Sequence, residues 1–389
     1  MNPLHGIGGG EWQAAGQHFI QRDAERIQIA AAINRTIHSS RLFGRHVGQC
    51  SGENLGRFGR LPIAWQPRCD TEAHQPHFPG CSVHESVGGL DVLVDQTVLV
   101  NPAECGRQPN GDTKELSQLN RRAAAEPVHV EGELFRLLVQ ARDISRETAG
   151  AFDPTSGPLI ALWRQCRSEG RIPTEGENAQ ALSVTGMSHV QFDEGEKTIG
   201  FDRPGVELNL GAIGKGHAVD RAAAFLVQEG VDEWLFHGGY SSVLVRGDHA
   251  GHRGWPVGIR NPLLPHERLA TILLKDQSLS TSGSNVQYFR HEGKRYGHIL
   301  DPRTGWPSEE LLSVTVIAPT AAVADALSTA FFVGGVENAL CYCDNHPQIG
   351  AIFIRPPGRG RTLEVLLCGI PDEVLFFEQS VEAEVYRRA

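Results

Sequence analysis

Only one stretch of this 389-residue chain reads as a strand, a glycine-rich turn and an amphipathic helix in succession, and that scarcity limits the folds open to it. The strand-like run is 206–210, the turn 211–216 and the helix about 215–228, with Gly230 as its stop. Further strand-like runs cluster around it at 190–192, 198–201, 233–237, 242–246, 255–259, 270–274 and 312–317. A doubly wound parallel sheet needs strands and helices to alternate, so the pattern predicts an α+β fold with mixed or antiparallel sheets. Helices are predicted at 130–146, where Leu134, Leu137, Leu138 and Ala141 recur at helical spacing, and in a short piece through Trp163. A last helix starts at Pro319-Thr320 and is expected to end at Gly334-Gly335.

This pattern begins at Thr113. In residues 1–112 apolar positions follow neither period except in short pieces at 24–37 and 90–100, although seven of the 17 histidines and four of the eight cysteines fall there. Cys69, His74, His77, Cys81 and His84 could supply zinc ligands, but they lack the close paired spacing of a finger or ribbon. The chain therefore divides into an unassigned, poorly patterned region, 1–112, and a folded domain, 113–389. Disorder or a misassigned start of the reading frame would each produce such a first region.

Composition excludes several classes. With 36 basic and 46 acidic residues the net charge is −10, and no basic run offers a nucleic-acid surface. No apolar run approaches a transmembrane span, and the first ten residues have neither the charged nor the apolar part of an export signal, so the chain as written is expected in the cytoplasm. Eight cysteines in this length do not make a disulfide scaffold.

Chemistry concentrates in three places. Asp325 and Thr329 are four residues apart on the predicted last helix, which stacks a carboxylate and a hydroxyl on one face, two oxygen donors that suit a hard cation. The plain reading is a carboxylate near a helix start and a threonine bonded back to a carbonyl. The turn from Asn209 through Lys215 places backbone N–H groups, a helix dipole and a full charge where an anion would be favoured, or is simply a tight turn. His298, ahead of Asp301-Pro-Arg-Thr-Gly305, is either part of that turn or a base that takes a proton from an attacking hydroxyl.

Six segments in order resemble the FAD:protein FMN transferase, or ApbE, family. They are Glu-Leu-Ser-Gln-Leu-Asn (115–120), Thr-Ala-Gly-Ala-Phe-Asp-Pro-Thr-Ser-Gly-Pro-Leu (148–159), Leu-Gly-Ala-Ile-Gly-Lys-Gly-His-Ala-Val-Asp (210–220), Thr-Ser-Gly (281–283), Tyr-Gly-His-Ile-Leu-Asp-Pro-Arg-Thr-Gly (296–305) and Ala-Asp-Ala-Leu-Ser-Thr-Ala (324–330). The resemblance covers about 113–335. It implies ApbE-like α/β layers and a Mg2+-dependent transfer of the FMN half of FAD to a threonine of an acceptor protein, with release of AMP. By position it makes Asp325, Thr329 and the carbonyl of Ala212 the metal ligands. Ala151, Phe152, Asp153, Asn209, Lys215 and Ile299 become FAD contacts, and His298 the base.

The chain departs from the family at three places. Asn209 stands where the family usually has Asp, and Gly238-Gly239-Tyr240 followed by Ser241-Ser242 where it has Gly-Gly-Asp. The opening strand and long first helix are not legible before Thr113. Two other outcomes share this site: hydrolysis of FAD to FMN and AMP, and flavin binding without turnover. Family members are commonly exported and membrane-anchored, in contrast to the expectation from the first ten residues.

Overall fold

A computed structural model describes residues 29–33, 97–100 and 110–388, apart from 240, 250, 252, 285–286 and 359–361. In chain order the strands are β1 (Ile29–Ile33), β2 (Thr97–Val100), β3 (Val128–His129), β4 (Val190–Asp193), β5 (Thr198–Phe201), β6 (Trp234–Gly238), β7 (Ser242–Arg246), β8 (Trp255–Arg260) and β9 (Arg268–Leu274). They continue with β10 (Ser278–Gly283), β11 (Tyr288–His291), β12 (Lys294–Gly297), β13 (Ser313–Ala318), β14 (Gly350–Arg355), β15 (Leu363–Cys368), β16 (Leu375–Phe377) and β17 (Ala383–Arg388). The helices are α1 (Asn110–Arg122), α2 (Gly132–Glu147), α3 (Gly157–Ser168), α4 (Glu175–Leu182), α5 (Gly214–Gln228) and α6 (Ala321–Asn345). Among the described residues no helix is long and apolar enough to cross a membrane.

A nine-stranded sheet runs in the order β17-β15-β14-β13-β10-β7-β6-β1-β2, and a three-stranded sheet in the order β16-β9-β8. Pairing in the large sheet is antiparallel except between β15 and β17. This is the α+β architecture of mixed sheets that the scarcity of βαβ units predicts. β1 and β2 lie within the patterned pieces 24–37 and 90–100, whereas the cysteine and histidine cluster at 69–84 lies outside the described residues.

Strand alternation builds the layers. Val314, Val316, Ala351 and Phe353 turn to one face of the large sheet and pack with Leu327, Ala330 and Phe331 of α6. Ile317, Ile352 and Ile354 turn to the other face, against Val257 and Ile272 of the small sheet. β10 obeys the same rule with different chemistry: Leu279 faces the small sheet, while Ser280 and Ser282 face α6.

Two expectations are corrected. Residues 206–210 form no strand, although Val206 and Leu208 are buried. Asn120 takes a strand neighbour's place: its amide donates to the Leu208 carbonyl at 2.9 Å and its carbonyl oxygen accepts from the Leu208 N–H at 2.9 Å. Nor does α6 end at Gly334-Gly335. Gly335 takes φ 76° and ψ 174°, kinking the helix, which then continues to Asn345 because Val336, Ala339 and Cys343 still bury against the same core.

Candidate active site

The site forms where α5 and α6 meet. Asp220 of α5 accepts bonds from the Ala321 and Ala322 N–H groups at 2.7 and 2.9 Å, so one helix caps the start of the other. Burial pushes the Asp220 carboxyl up to about 6 despite these two bonds, and the charge of Asp325 adds to the shift. The approach is close enough to require glycine at 216, where a Cβ would fall 2.0 Å from the Ala321 carbonyl oxygen. The Gly216 N–H then reaches Oδ2 of Asp325 at 3.1 Å.

Asp325 is buried, at 4% exposure, and its other oxygen is as well served. Oδ1 accepts from Ser280 Oγ at 3.1 Å and Ser242 Oγ at 3.3 Å, and lies 3.3 Å from Lys215 Nζ. Lys215 also bonds the Ser241 hydroxyl. One turn along α6, Thr329 Oγ1 lies 3.2 Å from Ser282 Oγ, and Ser328 Oγ donates to the Asp325 carbonyl at 2.9 Å. Thr329 also bonds back to that carbonyl at 3.4 Å, so the structural reading of the pair and its shared helix face coexist.

The sequence named Asp325, Thr329 and Lys215, and marked Ser241-Ser242 beside a departure from the family; it gave no role to Ser280, Ser328 or Asp220. The missed signal was periodic, since alternate residues 278, 280 and 282 are all serine, a polar face on a strand inside an apolar sheet. Tyr240, one of the departures, lies outside the described residues.

The turn before α5 binds itself more than expected. The Gly211 N–H is taken by Asn209 Oδ1 at 2.8 Å, and those of Ile213 and Gly214 by the Leu210 carbonyl at 3.1 and 2.7 Å. Attraction for an anion therefore rests on the helix dipole near Ala212 and on Lys215 rather than on a cradle of open N–H groups. The Asn209 N–H donates to the Pro154 carbonyl at 2.6 Å, which joins this turn to the 151–155 loop.

Ala151, Phe152 and Ile299 belong to the core under α6, so backbone edges are what they can offer a ligand. Asp153 is engaged as well: Oδ1 accepts from the Thr155 N–H at 2.8 Å and hydroxyl at 2.6 Å, and Oδ2 from the Met187 N–H at 3.2 Å. Burial raises its pKa against those bonds.

His298 follows β12 directly. Its Nδ1 donates to the Gln287 carbonyl at 3.1 Å, which leaves Nε2 as the basic nitrogen. The imidazole keeps an exposed edge, yet enclosure by protein lowers its pKa, and the charges of Lys215 and Arg167 lower it further. The turn at 301–305 is structural: the Asp301 carboxylate holds the Arg303 guanidinium at 2.8 and 2.9 Å, and the Trp163 indole donates to the Gly305 carbonyl at 2.7 Å.

Among the described residues no three His, Cys, Asp or Glu side chains converge on a point that could hold a metal. The donors at Asp325 are instead one carboxylate and neighbouring hydroxyls, all oxygen. That set fits Mg2+, which uses one or two carboxylates and completes its shell with water and substrate phosphates. A groove of about 770 Å3 lined by Val139, Val323, Tyr342 and Ile349 contains none of these residues.

The ApbE family model matches residues 107–353, more than half of the chain. The chain belongs to the ApbE family. An FAD:protein FMN transferase of Treponema pallidum (strain Nichols) is 31% identical over 343 residues, covering 84% of this chain and 92% of that protein. That share exceeds what residues 113–389 alone supply, so the likeness reaches into the first 112 residues. An FAD:protein FMN transferase of Klebsiella pneumoniae (strain 342) is 33% identical over 247 residues, covering 63% of this chain and 76% of its own. The crystal structure of an ApbE protein from Thermotoga maritima superposes with a TM-score of 0.56 at 33% identity, covering 62% of this chain and 78% of that one. For the flavin transferase ApbE from Vibrio cholerae the TM-score is 0.57 at 28% identity, with 65% and 80% covered.

Proposed function

We propose that this chain is an FAD:protein FMN transferase that moves FMN from FAD to a threonine hydroxyl of a separate acceptor protein, with Mg2+ as the metal. The observation that carries this reading is the convergence of Lys215, the Gly216 N–H and the Ser242 and Ser280 hydroxyls on one buried carboxylate, Asp325. Family membership and the names of the relatives support it.

Lys215 and the positive end of α5 attract the diphosphate of FAD. Backbone edges at Ala151, Phe152 and Ile299, with Asn209, line the way to it. His298 Nε2 takes the proton of the threonine hydroxyl, whose oxygen bonds to the FMN phosphorus as the bond to the AMP oxygen breaks. Asp325, Thr329 and the Ala212 carbonyl are the groups that would hold Mg2+, and the ion would supply positive charge to offset the negative charge of the diphosphate. Ser242, Ser280 and Gly216 keep the Asp325 carboxylate oriented, so it needs no reorganisation when the nucleotide arrives.

The test is AMP release from FAD by purified protein with Mg2+, with and without a threonine-bearing acceptor. Acceptor-dependent AMP that is lost in Asp325→Ala is expected. AMP formed equally without acceptor would make the chain an FAD pyrophosphatase, and none in either case would make it a flavin binder.

A further inference from the structure

Beyond the kink at Gly335, the last part of α6 brings two cysteines together. Cys343 lies in the last turn of the helix and Cys368 ends β15. Each is 5% exposed, in the same core cluster as Val336, Ala339, Ile349 and Ala351. Their approach is fixed from both sides of β15. On one side Cys368 pairs with Ala351 of β14. The chain reaches that strand from Cys343 by a tight turn, in which the His346 N–H donates to the Cys343 carbonyl at 3.0 Å and the Ile349 N–H to the His346 carbonyl at 2.9 Å. On the other side Arg388 of β17 stands in register with Cys368, and its guanidinium donates to the carboxylate of Asp344, the neighbour of Cys343, at 3.0 Å. The two side chains thereby meet, with the Cys343 thiol donating to the Cys368 sulfur. Another small apolar residue would fill either position, so packing alone does not require two sulfurs in contact.

We infer that Cys343 and Cys368 form a redox site, at which a small disulfide of the glutathione class converts the touching thiols into one S–S bond that fastens the end of α6 to β15. The step is thiol–disulfide exchange. One cysteine thiolate attacks the small disulfide and releases a first small thiol; the other then attacks the mixed disulfide and releases the second. Two electrons pass from the cysteine pair to the small disulfide, and the two cysteine protons end on the released thiols. The inference stands apart from the transferase reading, since Asp325 and Thr329 lie on the other side of the kink.

Burial sets the rate of this exchange. It raises the pKa of both thiols, so few are ionised at neutral pH, and the small disulfide reaches them when the last helical turn opens. Cys341 is exposed two residues earlier, on another side of the helix, and would stop at a mixed disulfide.

The intact chain tests it, incubated in a glutathione redox buffer at about pH 8.5, without and with urea below the unfolding transition, then alkylated and mapped by mass spectrometry. The expected product is a peptide pair joined through Cys343 and Cys368, with neither alkylated. The linked chain should melt about 5–10 °C above the reduced one, because the bond closes the loop 343–368 in the unfolded state, and dithiothreitol should reverse the shift. Cys343→Ala and Cys368→Ala should each remove both the link and the shift, whereas Cys341→Ser should keep both. Absence of the 343–368 link in both conditions, a link from Cys343 to Cys341 instead, or a 343–368 link that leaves the melting temperature unchanged would overturn the inference.

Discussion

A methyl group at Gly216 would fall 2.0 Å from the Ala321 carbonyl oxygen, 2.3 Å from its carbon and 2.6 Å from the Ala322 nitrogen. All three are backbone atoms, so Gly216→Ala can be accommodated only by moving α5 away from α6. Overpacking a tight interface typically costs about 1–3 kcal/mol. Separation also stretches the bond from the Gly216 N–H to the Asp325 carboxylate, and a hydrogen bond to a charged group is worth roughly 1.5–3 kcal/mol. The combined loss is about 4 kcal/mol, and at roughly 2–4 °C per kcal/mol the Tm should fall by about 10 °C. Turnover of FAD, measured where both forms are folded, should fall as well, because Lys215 and Asp325 no longer keep their spacing. Gly214→Ala is the control: its Cβ would meet Leu210 Cβ at 3.7 Å, ordinary contact. The reasoning fails if Gly216→Ala melts within about 2 °C of wild type and retains full activity.

Asp220 should make stability fall as pH rises from about 4 to 6, because its folded pKa near 6 exceeds the ordinary carboxylate value and the native state binds the proton more tightly in that window. Denaturant unfolding of wild type and Asp220→Asn should therefore give a stability difference that changes across this range; a constant difference would contradict the assignment. His298→Gln should lower kcat by about 10²–10⁴ with little change in the KM for FAD. Because the imidazole pKa is depressed below 6.5, the wild-type acidic limb should lie below that pH and vanish in the variant; a limb that persists in pH–rate profiles would exclude His298 as the base. In Lys215→Met, calorimetry should find FAD binding weaker by roughly tenfold or more. Mg2+ binding to the nucleotide-free chain should become tighter, since the ammonium no longer shares Asp325; weakened Mg2+ binding would refute that competition.

The pair Asp325 and Thr329 was legible because helical spacing alone places two oxygen donors on one face, and Lys215 because a glycine-rich turn before a helix is a local pattern. What surrounds them depends on sheet pairing, which spacing does not record. Ser280 and Ser282 find their place only when pairing with β13, and with β7 at Ser280, turns both hydroxyls toward α6. Residues 206–210 carry a strand's burial pattern without its ladder, because Asn120, 88 positions away, supplies the hydrogen bonds. The Gly334-Gly335 pair suggested a helix end, but the buried side chains beyond it favour resuming the helix after the kink at Gly335. Asp220 closes a recognised segment, yet its role appears only when the start of α6 lies against it.

The most direct test of the central claim is mass spectrometry of a threonine-bearing acceptor protein after incubation with this chain, FAD and Mg2+, with Asp325→Asn in parallel. The account predicts one FMN joined through phosphate to a threonine with an equal amount of AMP, and neither product from the variant. Unmodified acceptor alongside wild-type AMP release, or full modification by Asp325→Asn, would contradict it.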